Sequence, residues 1–182
     1  SGLTLAPTAS SETAPERIYA STVLWAAGVK ASALAESLNT PRDEWGRVYV
    51  EPDLSIPGYP ELFVVGDLAR VDRDNQPVPA MAPAAIQEGR HAASTINAAL
   101  RGSPRSSFQY KDRGMLAAIG RRAGVASIYG HSFSGFIAWF LWLTVHITSL
   151  IGFRNRLVVL FEWSWAYFTY QRSARVILSQ MR

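Results

Sequence analysis

The stretch from Glu61 to Gly89, ELFVVGDLARVDRDNQPVPAMAPAAIQEG, decides how the chain is read. Leu62 to Val65 is an apolar, β-rich run stopped by Gly66, the pattern of a buried strand in a parallel sheet. Asp67 then stands at a strand's carboxyl end. Open α/β sheets bind ligands along that edge, because loops there can be shaped without disturbing the core. Pro83 suits the first helical position, since it has no N–H to leave orphaned and its φ is preset. From there AAIQEGRHAASTINAAL is strongly helix-forming, and Gly102 stands where a C-terminal cap is expected.

The combination has a chemical meaning. A carboxylate at a strand end can accept hydrogen bonds from a polyol, and a helix N-terminus offers N–H groups and partial positive charge to an electron-rich ring. A flavin needs both, for its ribityl hydroxyls and for its reduced pyrimidine edge. By itself, Gly-Asp after a strand is also the signature of a capped loop.

Composition narrows the classes. The 182 residues suffice for a domain with a real core, and the chain opens at Ser1 on an aperiodic Ser/Thr/Ala/Pro stretch, as a segment of a longer protein would. No N-terminal signal peptide is visible. The absence of cysteine excludes disulfides, CxxC redox pairs and thiolate nucleophiles within these residues. His91, His131 and His146 have no ligand-like spacing, and no metal site is inferred. Residues 154–182 hold five arginines against the single acid Glu162, while the remainder carries thirteen basic and thirteen acidic residues. The net charge of +4 therefore belongs to the tail. A basic segment beside an apolar one suggests anionic lipid and not nucleic acid, which would want basic residues on the folded body as well.

Along the chain, Thr22 to Ala26 reads as a strand running into a tight turn at Ala27-Gly28, and Ala31 to Leu38 as a short helix ended by Asn39-Thr40-Pro41. Val48 to Val50 and Leu54 to Ile56 read as the two arms of a scaffold hairpin closed by Pro57-Gly58. Beyond the long helix, Phe108 to Tyr110 is extended. Met115 to Gly120 and Gly124 to Tyr129 form two strands joined by Arg121-Arg122-Ala123, preceded by a solvated turn at Asp112-Arg113-Gly114. His91 reads as an exposed helix residue.

TVLWAAGV (22–29), GRVYVEPDL (46–54), LFVVGD (62–67) and APAAIQEGRHAA (82–93), in this order and spacing, resemble the C-terminal half of the type II NADH:quinone oxidoreductases. The resemblance continues through YKDRGMLAAIGRRAGVA and SGFIAWFLWLTVHITSLIGFRNRLVVL. It implies an α/β fold, the C-terminal portion of a two-dinucleotide-binding flavoprotein, followed by a helical membrane-anchoring tail. It also implies an enzyme that passes electrons from NADH through FAD to a membrane quinone without pumping protons. Gly66 and Asp67 then hold the FAD ribityl chain, with Ala82, Pro83 and Ala84 at the helix opening. Two departures stand out. The family's Ala-Gln-x-Ala-x-Gln reads here Ala82-Pro83-Ala84-Ala85-Ile86-Gln87, so Pro83 replaces the first glutamine, backbone donors remain at Ala84 and Ala85, and Gln87 becomes the candidate catalytic amide beside the quinone. No GxGxxG occurs, so the phosphate-cradling loops and the nicotinamide domain are expected upstream, and the chain alone is expected to be inactive. Sulfide:quinone and dithiol reductases, which need redox cysteines near the flavin, are disfavoured.

Phe133 to Phe153 carries no charge and is by length a candidate transmembrane helix, since about 20 residues cross the hydrocarbon core. Hydroxyls and His146 dilute it, and the next run, Leu157 to Tyr170, is short and carries Glu162. Twelve of the twenty-one aromatics fall between Phe133 and Tyr170, Trp139, Trp142, Trp163, Trp165 and Tyr167 among them, and Trp, Tyr and Arg together prefer the headgroup level. The expectation is a helical pair lying in one leaflet, joined at Gly152 to Arg156, with lipid as partner through residues 133–182, on the cytoplasmic face of the inner or plasma membrane. The same aromatics also read as a buried core or a homodimer face. His146 reads as a packing residue. The resulting division is 1–16 as an upstream segment, 17–130 as the C-terminal part of an FAD-binding domain and 131–182 as the anchor. The competing reading is a non-catalytic membrane-association or dimerisation module.

Overall fold

The structure, a computed structural model, describes residues 2–5, 14–24, 26, 28–73 and 76–169. They fall into two compact units, Ser1–Tyr110 and Lys111–Arg182. Trp25 and Ala27, in the expected strand and turn, lie outside the described residues, as do Tyr170 and the arginines at 172, 175 and 182.

In the first unit β1 (Gly2–Leu5) pairs antiparallel with β2 (Glu16–Tyr19). The strand expected from Thr22 is therefore displaced: the ladder is made by Glu16–Tyr19, and residues 22–24 run on without a partner strand. A short 3₁₀ helix spans Ala33–Leu38, with the Ser32 hydroxyl accepting the Leu34 N–H and Asn39 closing it in the left-handed region at φ 45°. These are the start and stop signals that the sequence carries. Next come β3 (Val48–Tyr49), β4 (Ser55–Ile56), β5 (Tyr59–Phe63), a 3₁₀ turn at Gly66–Leu68, β6 (Ala69–Arg70), β7 (Asp72–Arg73) and β8 (Gln76–Pro77).

Two pairings differ from expectation. β3 does not form a hairpin with β4; it pairs parallel with β6, and β4 turns at Pro57-Gly58 to meet β5. Leu62 to Val65 is not a buried parallel strand, because β5 is antiparallel to β4 and Leu62 is 45% exposed. A parallel neighbour must be delivered by a crossover, whereas a tight turn supplies an antiparallel one at once. Among the described residues parallel pairing is confined to β3 with β6. The core gathers Ala35, Val48, Ile56, Val64 and Ala69, so Val64 is the member of the apolar run that points inward.

α1 (Ala82–Leu100) closes the unit. It ends as Gly102 predicts: at φ +68° the glycine donates to Ala99 O at 3.0 Å and Ser103 to Ala98 O at 2.9 Å, a double cap that satisfies orphan carbonyls. Residues 103–110 fold back over the unit through Phe108 N–H to Pro52 O at 2.7 Å and Arg73 to Tyr110 O at 2.8 Å. His91 takes part in this return, with Nε2 2.9 Å from Ser106 O and its ring edge-on to Phe108.

The second unit is a meander of β9 (Met115–Gly120), β10 (Ala123–Ile128) and β11 (His131–Gly135), then α2 (Phe136–Ser149) and α3 (Phe153–Thr169). The third strand takes Phe133 to Gly135 out of the run read as one apolar segment, leaving α2 with 14 residues. Among the described residues no helix is long and apolar enough to cross a membrane. α2 seats on β10 at Gly124, where a Cβ would come within 2.7 Å of the Trp139 nitrogen, and Ala138 is buried there.

Candidate functional site

The Gly-Asp turn is built by local chemistry. Gly66 sits at φ +72°, a region a side chain enters only with strain, and the Ala69 N–H closes the turn on the Gly66 carbonyl. The turn lies against α1, where the Glu88 carboxylate accepts the Gly66 N–H at 2.5 Å. Glu88 is 3% exposed. Burial pushes its carboxyl above the ordinary value; the Gly66 N–H works against this, and the negative charge of Asp67 adds to it.

Asp67 is exposed and lines a cleft of about 620 Å³ with Gly28, Lys30, Trp45, Leu68 and Ala80. Among the described residues no hydrogen bond or ion pair holds its carboxylate. It is an acceptor presented to whatever enters, beside a glycine at φ +79° that lets the backbone of residue 28 approach closely. Arg47, also on the wall, is engaged with Asp43 through Nε and Nη2, both at 2.7 Å from Oδ2.

The α1 opening differs in detail from the sequence reading. Met81 is the N-cap, and its carbonyl accepts from both Ala84 N at 3.0 Å and Ala85 N at 3.1 Å, so these two donors are spent inside the helix. Pro83 has none. That leaves Ala82 N–H as the donor without a partner among the described residues. Ala82 and Pro83 are exposed, whereas the Ala84 methyl is buried with Val78 and Tyr110. Gln87 Nε2 bonds to Pro83 O at 3.2 Å, and Gln87 is not among the residues lining the cleft.

The structure thus brings Asp67 to the Gly28 loop, with Val65 and Ala80 on the same cleft, whereas Gly66, Ala82, Pro83 and Ala84 are not among its lining residues. Three residues were missed from sequence: Glu88, Lys30 and Trp45. Glu88 had a signal, since Ala84, Glu88, Ala92 and Thr95 recur at helical spacing on the buried face of α1. The two cleft residues had none, because their placement depends on loops.

In the second unit Trp142, His146 and Trp163 form one stack, and Trp139 stacks on Phe136 and meets Tyr167. Among the described residues of this unit the aromatics left outward are Tyr129 in the turn after β10 and Phe136, Phe140, Phe153, Phe161, Trp165 and Phe168 on the helices. The turn after β9 grips the end of α3: Arg121 donates to Tyr167 O at 2.7 Å and Ala166 O at 3.2 Å, and Arg122 to the Tyr167 hydroxyl.

Comparison with known proteins matches both units. Residues 6–89 match the family model of the pyridine nucleotide-disulphide oxidoreductases, and residues 113–173 that of the NDH2 C-terminal domain. The chain is 44% identical over 171 residues to the type II NADH:quinone oxidoreductase Ndh of Mycobacterium tuberculosis, covering 90% of this chain and 36% of that protein. It is 39% identical over 174 residues to NdhA of the same organism, covering 91% and 36%. To the type II NADH:quinone oxidoreductase of Staphylococcus saprophyticus it is 36% identical over 128 residues, covering 69% and 32%. The chain spans about a third of the length of these curated relatives. By sequence the chain matches a C-terminal fragment of the type II NADH:quinone oxidoreductases.

Proposed function

We propose that the chain supplies part of the flavin site, the quinone-side wall and the membrane anchor of an FAD-dependent NADH:quinone oxidoreductase. The observation that carries this reading is Asp67, a carboxylate without a protein partner among the described residues, facing a cleft at the end of β5 beside a glycine loop. Its chemistry fits a ribityl chain, whose hydroxyls need an acceptor. Two-electron transfer from NADH to quinone is the chemistry a bound FAD supplies. Within this chain, Asp67 holds the polyol, Gly66 lets the backbone turn beneath it, and Ala82 to Ala84 turn the positive end of α1 toward the ring. Gln87 serves the quinone side by releasing the Pro83 carbonyl that its amide now holds.

Residues 131–182 attach the protein to one leaflet on the cytoplasmic face of the membrane. Outward Phe136, Phe153, Phe161, Trp165 and Phe168, with Arg154 also exposed, support lipid as the occupant, because aromatic and arginine side chains together suit the headgroup region.

The test is Asp67→Ala in the full-length protein. Each ribityl hydroxyl left without its acceptor costs about 1 to 3 kcal/mol, so the variant is expected to purify without visible flavin absorbance. A variant that retained full flavin would overturn the reading, and a wild-type protein that never carried flavin would favour a non-catalytic membrane module.

A further inference from the structure

Glu88 is the one charged residue on the buried face of α1, among Ala84, Ala92 and Thr95. A carboxylate so deep is costly unless its lone pairs are satisfied. What it accepts is the Gly66 N–H, at 2.5 Å, and that donor belongs to the Val65–Gly66 peptide, at the start of the turn that carries Asp67. The turn itself is lightly held: its N-cap, Val65, makes no side-chain bond, and the bond closing it is Ala69 N–H to Gly66 O. Glycine at φ +72° is also the most permissive of residues, so an anchor from outside the turn decides which conformation it keeps.

We propose that Glu88 is a positioning residue for Asp67: by holding the Gly66 N–H it fixes the first peptide of the turn that carries the Asp67 carboxylate into the cleft, and so sets the affinity for the polyol of the flavin. This rests on the flavin reading of the cleft. Glutamine at 88 keeps a carbonyl acceptor. Methionine fills a similar volume without one.

The experiment is titration of FAD into the deflavinated full-length protein, with thermal melts of the same apoproteins. Glu88→Met is expected to weaken FAD on the order of tenfold while the apoprotein melts no lower than wild type, since a buried charge has been replaced by an apolar group. Glu88→Gln should stay within about threefold of wild type. In an Asp67→Ala background, Glu88→Met should add nothing further, because it acts through that residue. Unchanged affinity in Glu88→Met, or full additivity with Asp67→Ala, overturns the proposal. If Asp67→Ala itself leaves FAD affinity intact, the flavin reading falls and the proposal with it. Should Glu88→Met fail to fold, Glu88→Ala is measured with the same expectation. Amide exchange at Gly66 in the wild-type protein then decides independently, slow if Glu88 holds the N–H and fast if it does not.

Discussion

Trp142 of α2 and Trp163 of α3 stack with ring planes 3° apart and centroids 5.5 Å apart. His146 closes the stack, 5.2 Å from one and 5.1 Å from the other. The two indoles join the helices and are half-buried. Trp163→Ala is expected to lower the stability of the second unit by about 3 kcal/mol, and Trp163→Phe by about 1 kcal/mol. Urea unfolding followed by tryptophan fluorescence would measure both; an unchanged midpoint in Trp163→Ala would show the stack to be incidental.

Phe161 and Phe168 are 72% and 77% exposed on α3 and are the residues to change for the membrane. Burial of one phenylalanine contributes about 1.5 to 3 kcal/mol, so each Phe→Ser change should weaken vesicle binding roughly tenfold or more without lowering the melting temperature. Flotation with vesicles containing anionic lipid reads this directly. High salt should detach the wild-type protein only in part, because apolar burial is not screened.

Gly124 tests how α2 is seated. A Cβ there would meet the Trp139 nitrogen at 2.7 Å and its Cα at 2.9 Å, both backbone atoms, which cannot rotate away. Gly124→Ala is expected to cost about 1 to 3 kcal/mol by pushing the helix off the sheet. A melting temperature equal to wild type would mean that the helix shifts without penalty.

Acid sensitivity has a named origin in Asp43, whose side chain is 4% exposed against Arg47 and Arg70. Burial alone would raise its carboxyl, but Arg47, through its N–H, side chain and charge, and the Trp45 N–H together hold it below its ordinary 3.8. Its stabilisation is therefore complete above pH 3.8 and lost as pH falls through the depressed value. Glu88 works in the opposite sense: raised from 4.5, it favours the fold fully below that pH and less as pH climbs through the raised value, with Asp67 the charge facing it. Asp43→Asn should cost about 3 kcal/mol at neutral pH and flatten the acid limb. Glu88→Gln should flatten the limb on the other side. Midpoints that kept the wild-type pH dependence in both variants would discard this account.

What the sequence made legible was local. Gly66, Asn39 and Gly102 each carry their own backbone instruction and sit where it places them, while Pro83 falls one residue inside the expected start, at the second helical position behind Ala82. Pairing was not legible, because whether Val48 meets Ala69 or Ser55 depends on a choice between a crossover and a turn that both satisfy the hydrophobic pattern. β11 was hidden by its neighbour: Phe133 to Gly135 reads as the uncharged start of the run from Phe136, and Gly135 at φ +86° marks the change from strand to helix. At the site, Asp67 was readable from type and place. The loss of the Ala84 and Ala85 donors to Met81 was not, since Pro83 was read for its fixed φ and not for the turn it tightens.

Three arginines of the second unit direct their guanidinium groups at protein oxygens. Arg121 and Arg122 spend their guanidinium groups on the final turn of α3, and Arg156 donates to the Leu150 carbonyl at the end of α2. Among the described residues of the helical pair, Arg154 alone has no such commitment. Each arginine near an anionic surface adds about 1 kcal/mol when its charge is available to the headgroups. Under the proposed lipid attachment, Arg154 is accordingly the described arginine of the helical pair whose donors are open to a headgroup phosphate, whereas Arg121, Arg122 and Arg156 keep their charge but direct N–H groups at protein oxygens.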